Sequence, residues 1–169
     1  MSLLPETAIQ TLSAPDVDCL IVGLSGGLDS TALLHCLVQL TDRPRLKAIH
    51  INHGLQAEAD VWQAHCESLC AALGVTLMCR RVEVALSGSL ETNARAARYQ
   101  AFTACLGPRD CLLLAHHQQD QAETGLFQVL RGHGATGLIG MPQGRPLGLG
   151  RLYRPLLDVP RVVLEAYVE

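Results

Sequence analysis

Ser25-Gly26-Gly27-Leu28-Asp29-Ser30 follows an apolar run over residues 19–24 and opens an apolar-periodic segment over residues 31–40. In that segment Leu33, Cys36, Leu37 and Leu40 fall at i, i+3, i+4 and i+7, one face of a helix. The order therefore predicts a strand, a tight turn and a helix. Two adjacent glycines let a backbone approach an anion without Cβ interference, and a helix start adds unpaired N–H groups and roughly half a unit of positive charge. Ser25 and Ser30 add hydroxyls. The lysine of the G-x-x-x-x-G-K-[ST] phosphate loop is absent from the stretch, so any phosphate is gripped by another design. The plainer alternative, a glycine turn joining strand to helix, stays open on this stretch alone.

Outward from the loop, candidate strands cover residues 18–24, 46–52, 75–82, 111–116 and 149–156. They read as continuous apolar runs, as expected of strands buried on both faces. Helical patterns cover residues 31–40, 60–73, 90–106 and 118–130, with a leading helix near Thr7. Alternation of this kind predicts an α/β fold, a doubly wound parallel sheet of about five strands with helices on both faces, binding ligands at the strands' carboxyl ends.

The chain has 169 residues, which is one ordinary domain, and a formal net charge of −3. Its hydrophobic content of 49% excludes a disordered chain, and its charge balance excludes a uniformly basic nucleic-acid binder. Seven cysteines form no C-x-x-C pair and sit mostly in apolar runs, where a thiol acts as a small hydrophobe. With no signal peptide and no 18-residue apolar span, a cytoplasmic location and no membrane are expected.

Unusual residues cluster at the strand-to-helix turns. His50-Ile51-Asn52-His53-Gly54-Leu55 follows the second strand, and His116-His117-Gln118-Gln119-Asp120-Gln121-Ala122-Glu123-Thr124 the fourth. On the third of the four main helical patterns Arg95 and Arg98 share a face beside Tyr99. Residues 131–150 hold seven glycines and two prolines, and read as a long substrate-covering loop. Each cluster has a plainer reading. The histidines with Asp120 and Glu123 suit a metal site, although neighbours on a strand point to opposite faces; Asp120 suits a helix-dipole acid, and the arginines a solvated face.

S-G-G-L-D-S resembles the pyrophosphate loop of ATP-pyrophosphatase-type enzymes, whose fold is adenine nucleotide alpha hydrolase-like. Taken in order with His50 to Leu55, Ala94-Arg95-Ala96-Ala97-Arg98-Tyr99, Ala115-His116-His117 with Asp120 to Thr124, the Leu130-Arg131-Gly132 turn, Gly137-Leu138-Ile139-Gly140-Met141 and Arg154-Pro155-Leu156-Leu157, it resembles the catalytic domain of the tRNA(Ile)-lysidine synthetase family. The resemblance implies that ATP adenylates the position-2 oxygen of the wobble cytidine of an isoleucine tRNA, at the anticodon loop. Free L-lysine then displaces AMP, and the codon read changes from AUG to AUA. It implies nucleotide contacts at Ser25, Gly26, Gly27, Leu28, Asp29, Ser30, His50, Asn52 and His53. It also implies Mg2+ on Asp29 and Asp120, and Arg98, with Arg95 beside it, facing the phosphates.

Two features depart from that pattern. The double-histidine motif carries Gln119 where the family commonly has an acid, leaving the burden on Asp120, and the chain reaches only Glu169, short of the family's tRNA-binding domains. Weak tRNA binding by this chain alone is the expectation. A tRNA thiolase and a non-catalytic ATP-binding module are the alternatives; the first calls for a reactive cysteine pair.

Overall fold

The computed structural model describes residues 3–55, 57–130 and 140–168. The expected Arg131-Gly132 turn, and residues 131–139 of the expected loop, lie outside the described residues. Chain order is α1 (Glu6–Leu12), β1 (Cys19–Gly23), α2 (Leu28–Val38), β2 (Arg45–Asn52), α3 (Ala59–Leu73), β3 (Thr76–Arg81), α4 (Leu90–Cys105), β4 (Asp110–Leu113), α5 (Gln118–Leu130), β5 (Gly144–Leu147), β6 (Gly150–Tyr153) and α6 (Arg161–Val168). The strands form one sheet in the order β3-β2-β1-β4-β6-β5. All pairings are parallel except β5 with β6.

The doubly wound α/β fold follows from a period of two. Along β1, Leu20 and Val22 face a core shared with α1, α2, α3 and α6, whereas Cys19 and Ile21 face one that includes Phe102 of α4. β4 divides likewise, Cys111 and Leu113 to the first core and Leu112 to the second. Successive right-handed crossovers carry α2 and α3 on one face, and the reversal from β3 to β4 puts α4 on the other. That reversal makes the crevice between the carboxyl ends of β1 and β4 the switch point where such sheets bind ligands.

The structure differs from the sequence reading in four places. The sheet has six strands rather than five, because Gly144–Leu147 pairs antiparallel with β6. Pro146 is compatible with this position because β5 is an edge strand, where one missing N–H is tolerated. β3, expected to be buried on both faces, is the opposite edge and half-exposed throughout. β4 ends at Leu113, so His116 and His117 lie in the turn beyond the strand, and α6 is a helix that no sequence signal announced. Among the described residues no helix is long and apolar enough to cross a membrane.

Candidate functional site

The cradle after β1 closes on itself through its two hydroxyls. Ser25 N–H donates to Ser30 Oγ at 3.2 Å, Ser30 Oγ donates to Gly27 O at 3.1 Å, and Gly27 N–H donates to Ser25 Oγ at 3.3 Å. The two hydroxyl oxygens are 3.0 Å apart. Gly27 is the N-cap of α2 and supplies no side-chain cap, which leaves the first-turn N–H groups of Leu28, Asp29 and Ser30 without helical partners.

The two glycines serve different ends. Gly26 has φ +86°, and a Cβ there would meet Trp62 Cε3 at 3.1 Å and Cys66 Sγ at 3.2 Å, so its bare Cα faces α3. Gly27 has an ordinary φ of −76° and lines the cavity; a Cβ there would meet only Ser25 Oγ at 3.5 Å. The sequence argument for anion approach therefore applies to Gly27, and Gly26 is required by the shape of the turn.

A cavity of about 560 Å³ opens from the cradle along the ends of β1 and β2. Ser25, Gly27, His50, Asn52, His53 and Arg98 line it, with Trp62, Phe102 and Leu114 as apolar walls. Nδ1 of buried His50 lies 2.8 Å from Leu24 O; as the donor there it leaves Nε2 as an acceptor. Asn52 is spent on α3 and the turn before it: its Nδ2 donates to Asp60 Oδ1 at 2.9 Å and Gln63 Oε1 at 3.1 Å, and its Oδ1 accepts from Gly54 N–H at 2.9 Å. Arg98 Nε donates to His53 Nε2 at 3.4 Å, with Nη2 at 3.2 Å. Burial, then the Arg98 charge and His50, lower the His53 pKa and keep the ring neutral.

Asp29 and Asp120 come together on a residue that the sequence did not single out by itself. His117, 4% exposed, has Nε2 at 3.7 Å from Asp29 Oδ2 and Nδ1 at 3.5 Å from Asp120 Oδ2. Its backbone N–H donates to the same Asp120 oxygen at 2.8 Å. The paired-histidine metal site does not form, since among the described residues no three His, Cys, Asp or Glu side chains are placed to share an ion. Two carboxylates do suit Mg2+, which binds through one or two acids plus phosphate oxygens and water, and Asp29 Oδ1 is buried with no hydrogen-bond partner.

The rest of the double-histidine segment is structural. Gln119 Oε1 accepts the Arg161 N–H at 2.9 Å, at the start of α6, so this position holds a helix rather than a ligand. Gln121 takes both backbone groups of Met141, accepting its N–H at 2.6 Å and donating to its carbonyl at 2.9 Å. Glu123 is exposed on α5. His116 turns the other way from His117, its Nδ1 accepting from Arg154 Nε at 3.1 Å. Burial first, then the Arg154 charge, push its pKa down to about 4. Arg154 is 2% exposed and also donates to Pro142 O at 2.6 Å and to the Tyr99 hydroxyl at 3.4 Å. Its place in Arg154-Pro155-Leu156-Leu157 was visible in the sequence, its burial was not. Arg95 is separated from Arg98 by its packing: its guanidinium stacks on Tyr99, 5.1 Å from the ring centroid, and is not part of the cavity wall.

A glycine cradle at the switch point of a doubly wound sheet, with two acids converging from the first turns of the helices that follow β1 and β4, defines an α/β nucleotide-binding domain of the phosphate-cradling kind. The chain belongs to the PP-loop domain family, whose model matches residues 4–169. It is 57% identical over 151 residues to a tRNA(Ile)-lysidine synthase of Pseudomonas aeruginosa, covering 88% of this chain and 34% of that protein. A tRNA(Ile)-lysidine synthase of Legionella pneumophila (strain Paris) is 49% identical over 149 residues, covering 88% and 35%. The chain thus spans about a third of the length of these relatives. In fold it is similar to the U34-tRNA thiolase NcsA from Methanococcus maripaludis (TM-score 0.68, 16% identity, 96% of this chain and 61% of that one). A glutamine-dependent NAD+ synthetase from Acinetobacter baumannii shares it too (TM-score 0.60, 17% identity, 98% and 31%).

Proposed function

We propose that this chain is the ATP-binding, base-activating domain of a carbon–nitrogen ligase that converts the wobble cytidine of an isoleucine tRNA to lysidine. The observation that carries the reading is the meeting of Asp29, from the glycine cradle, and Asp120, from the double-histidine turn, on the two nitrogens of His117. The names of the similar proteins support the choice of substrate.

Cytosine is a poor electrophile at C2, and adenylation corrects that. The O2 oxygen attacks the α-phosphorus of ATP and pyrophosphate departs; the amine of lysine then attacks C2, loses a proton, and AMP leaves with O2. Ser25, Gly27 and the first-turn N–H groups of Leu28, Asp29 and Ser30 hold the departing pyrophosphate. His50, His53 and the apolar walls form the nucleotide's cavity, and Arg98 offsets phosphate charge. Asp29 and Asp120 are the residues that would hold Mg2+, which when bound would supply further charge neutralisation on the phosphates. The seven free cysteines suit a reducing cytoplasm.

A thiolase chemistry is disfavoured by the same cysteines. Burial first, then Cys70, Cys79 and Glu67, push the Cys66 thiol up to about 11, and burial raises Cys70 and Cys79, the opposite of what a sulfur-transferring thiolate needs. ATP–pyrophosphate exchange tests the proposal. Exchange should depend on isoleucine tRNA and respond to free lysine. Exchange indifferent to tRNA would leave an ATP-binding module and overturn the ligase reading.

A further inference from the structure

Three arginines surround one tyrosine outside the nucleotide cavity, and among the described residues none has an acid to balance it. Arg95 lies 5.1 Å and Arg145 5.3 Å from the Tyr99 ring centroid, and Arg154 donates to the Tyr99 hydroxyl at 3.4 Å. They come from α4, β5 and the residue after β6, while Phe102 fixes the ring edge-on at 6.1 Å. Arg98, which does line the cavity, extends the group along α4. Among the described residues the arginines in ion pairs with carboxylates are Arg81, Arg109, Arg151 and Arg161, and no member of this cluster is one of them.

That arrangement is costly in isolation. Like charges gathered at one ring repel one another, and the chain has 16 acids available to pair with 13 bases. Burial lowers the pKa of Arg154, the Tyr99 hydroxyl opposes it, and the smaller repulsions of Arg145 and Arg95 add to the lowering. The exposed members, Arg95 and Arg145, keep their planar donor forks at the surface, a shape matched to phosphate oxygens. A polyanion laid across the cluster would relieve the repulsion.

The geometry points to a docking rim for the phosphodiester backbone of single-stranded RNA, made by Arg95 and Arg145 around Tyr99, braced by Arg154 and continuous with the nucleotide cavity through Arg98. The inference rests on the tRNA reading above and names the surface on which the strand flanking the reacting base lies. RNA is favoured over an acidic polypeptide because the rim abuts a nucleotide cavity and consists of guanidiniums at an aromatic ring. It also corrects the impression left by a net charge of −3: the positive field is local.

The test is a titration of this chain with a labelled isoleucine anticodon stem-loop RNA, followed by anisotropy at several low salt concentrations. Arg95→Gln with Arg145→Gln should weaken binding about tenfold or more and make the plot of log affinity against log salt shallower by about 1.4, two contacts at roughly 0.7 each. Arg145→Gln alone, at an exposed edge-strand position, should give about half that change in slope. Calorimetric ATP affinity and the thermal melt should match the parent, and Arg43→Gln with Arg45→Gln, on the amino side of β2, should leave RNA binding unchanged. Parental affinity and slope in the double variant would overturn the rim while leaving the tRNA reading intact. No RNA binding by the parent at low salt would overturn the rim, the tRNA reading being decided separately by the exchange assay. Loss of ATP affinity in Arg145→Gln would assign the arginines to the cavity instead. Competition by an acidic peptide of matched charge as effective as that of the RNA would replace RNA with a polypeptide.

Discussion

The two banks of the switch point are built by different means. On the β1 side the cradle is backbone, two glycines and two hydroxyls drawn from six consecutive residues, and its hydrogen bonds run among themselves. On the β4–β6 side the groups are long and charged, and they meet from distant parts of the chain: Tyr99 on α4, His116 after β4, Arg154 after β6. The first bank is preorganised by local conformation and changes little when a distant residue is altered. The second depends on one buried guanidinium that ties three segments together, and fails as a unit.

The contrast can be broken by substitution. The largest effect is expected at the junction, where Asp120→Asn should lower tRNA-dependent adenylation by about 10²-fold or more, since it removes one of the two carboxylates that would hold the charge-neutralising Mg2+. Gln119→Glu, next to it, should stay near parental activity, because its side chain still accepts the Arg161 N–H. A rate loss in Gln119→Glu as large as that in Asp120→Asn would place Gln119 at the chemistry and undo the assignment. Next comes Arg154→Leu, which strips the donor from Pro142 O, His116 Nδ1 and the Tyr99 hydroxyl. These acceptors are only partly buried, so losing their donor costs towards the low end of about 1–3 kcal/mol each, and denaturant melts should show a loss of roughly 3 kcal/mol. A melt unchanged from the parent would mean the far bank does not act as a unit.

On the cradle side the two glycines should separate cleanly. Gly26→Ala must force a Cβ at positive φ against Trp62 and Cys66 and should cost about 1–2 kcal/mol of stability. Gly27→Ala, an ordinary φ with room for the Cβ, should cost only the smaller penalty of Ala for Gly at the α2 N-cap and should weaken ATP binding measured by calorimetry. Equal melts and equal ATP affinities for both would show that the cradle is misassigned.

The last effect is seen only in acid. The folded His116 pKa of about 4 lies below the unfolded value near 6.5, so between these limits the unfolded chain binds more protons. Stability from this group is complete above about pH 6.5 and declines as pH falls towards about 4. His116→Gln, whose amide oxygen can still accept from Arg154, should flatten that acid limb. An identical limb in the variant would assign it to other groups.

The same contrast explains what could be read in advance. The cradle and its flanking strand and helix were legible because the signal is contiguous: an apolar run, two glycines, then a period of 3.6. Cavity residues His50 and Arg98 were legible because they sit on or beside elements with clear periods. His117 and Arg154 carry no local sign of their role, since burial and partners are properties of the assembled sheet. β5 was hidden by glycine and proline in a four-residue strand that relies on β6 for its pairing. β3 looked like a central strand because alternation of burial cannot be read from an apolar run.

The lateral margins of the sheet have a further consequence for behaviour in concentrated solution. An open strand edge is a template for another chain, and both margins here are poor templates. β5 offers no N–H at Pro146, and β3 ends in the exposed charges of Arg80 and Arg81. Sheet-to-sheet extension is disfavoured at either side, so self-association of this chain at high concentration is left to its helical surfaces, where exposed Leu126, Phe127 and Leu130 on α5 are the most apolar ground.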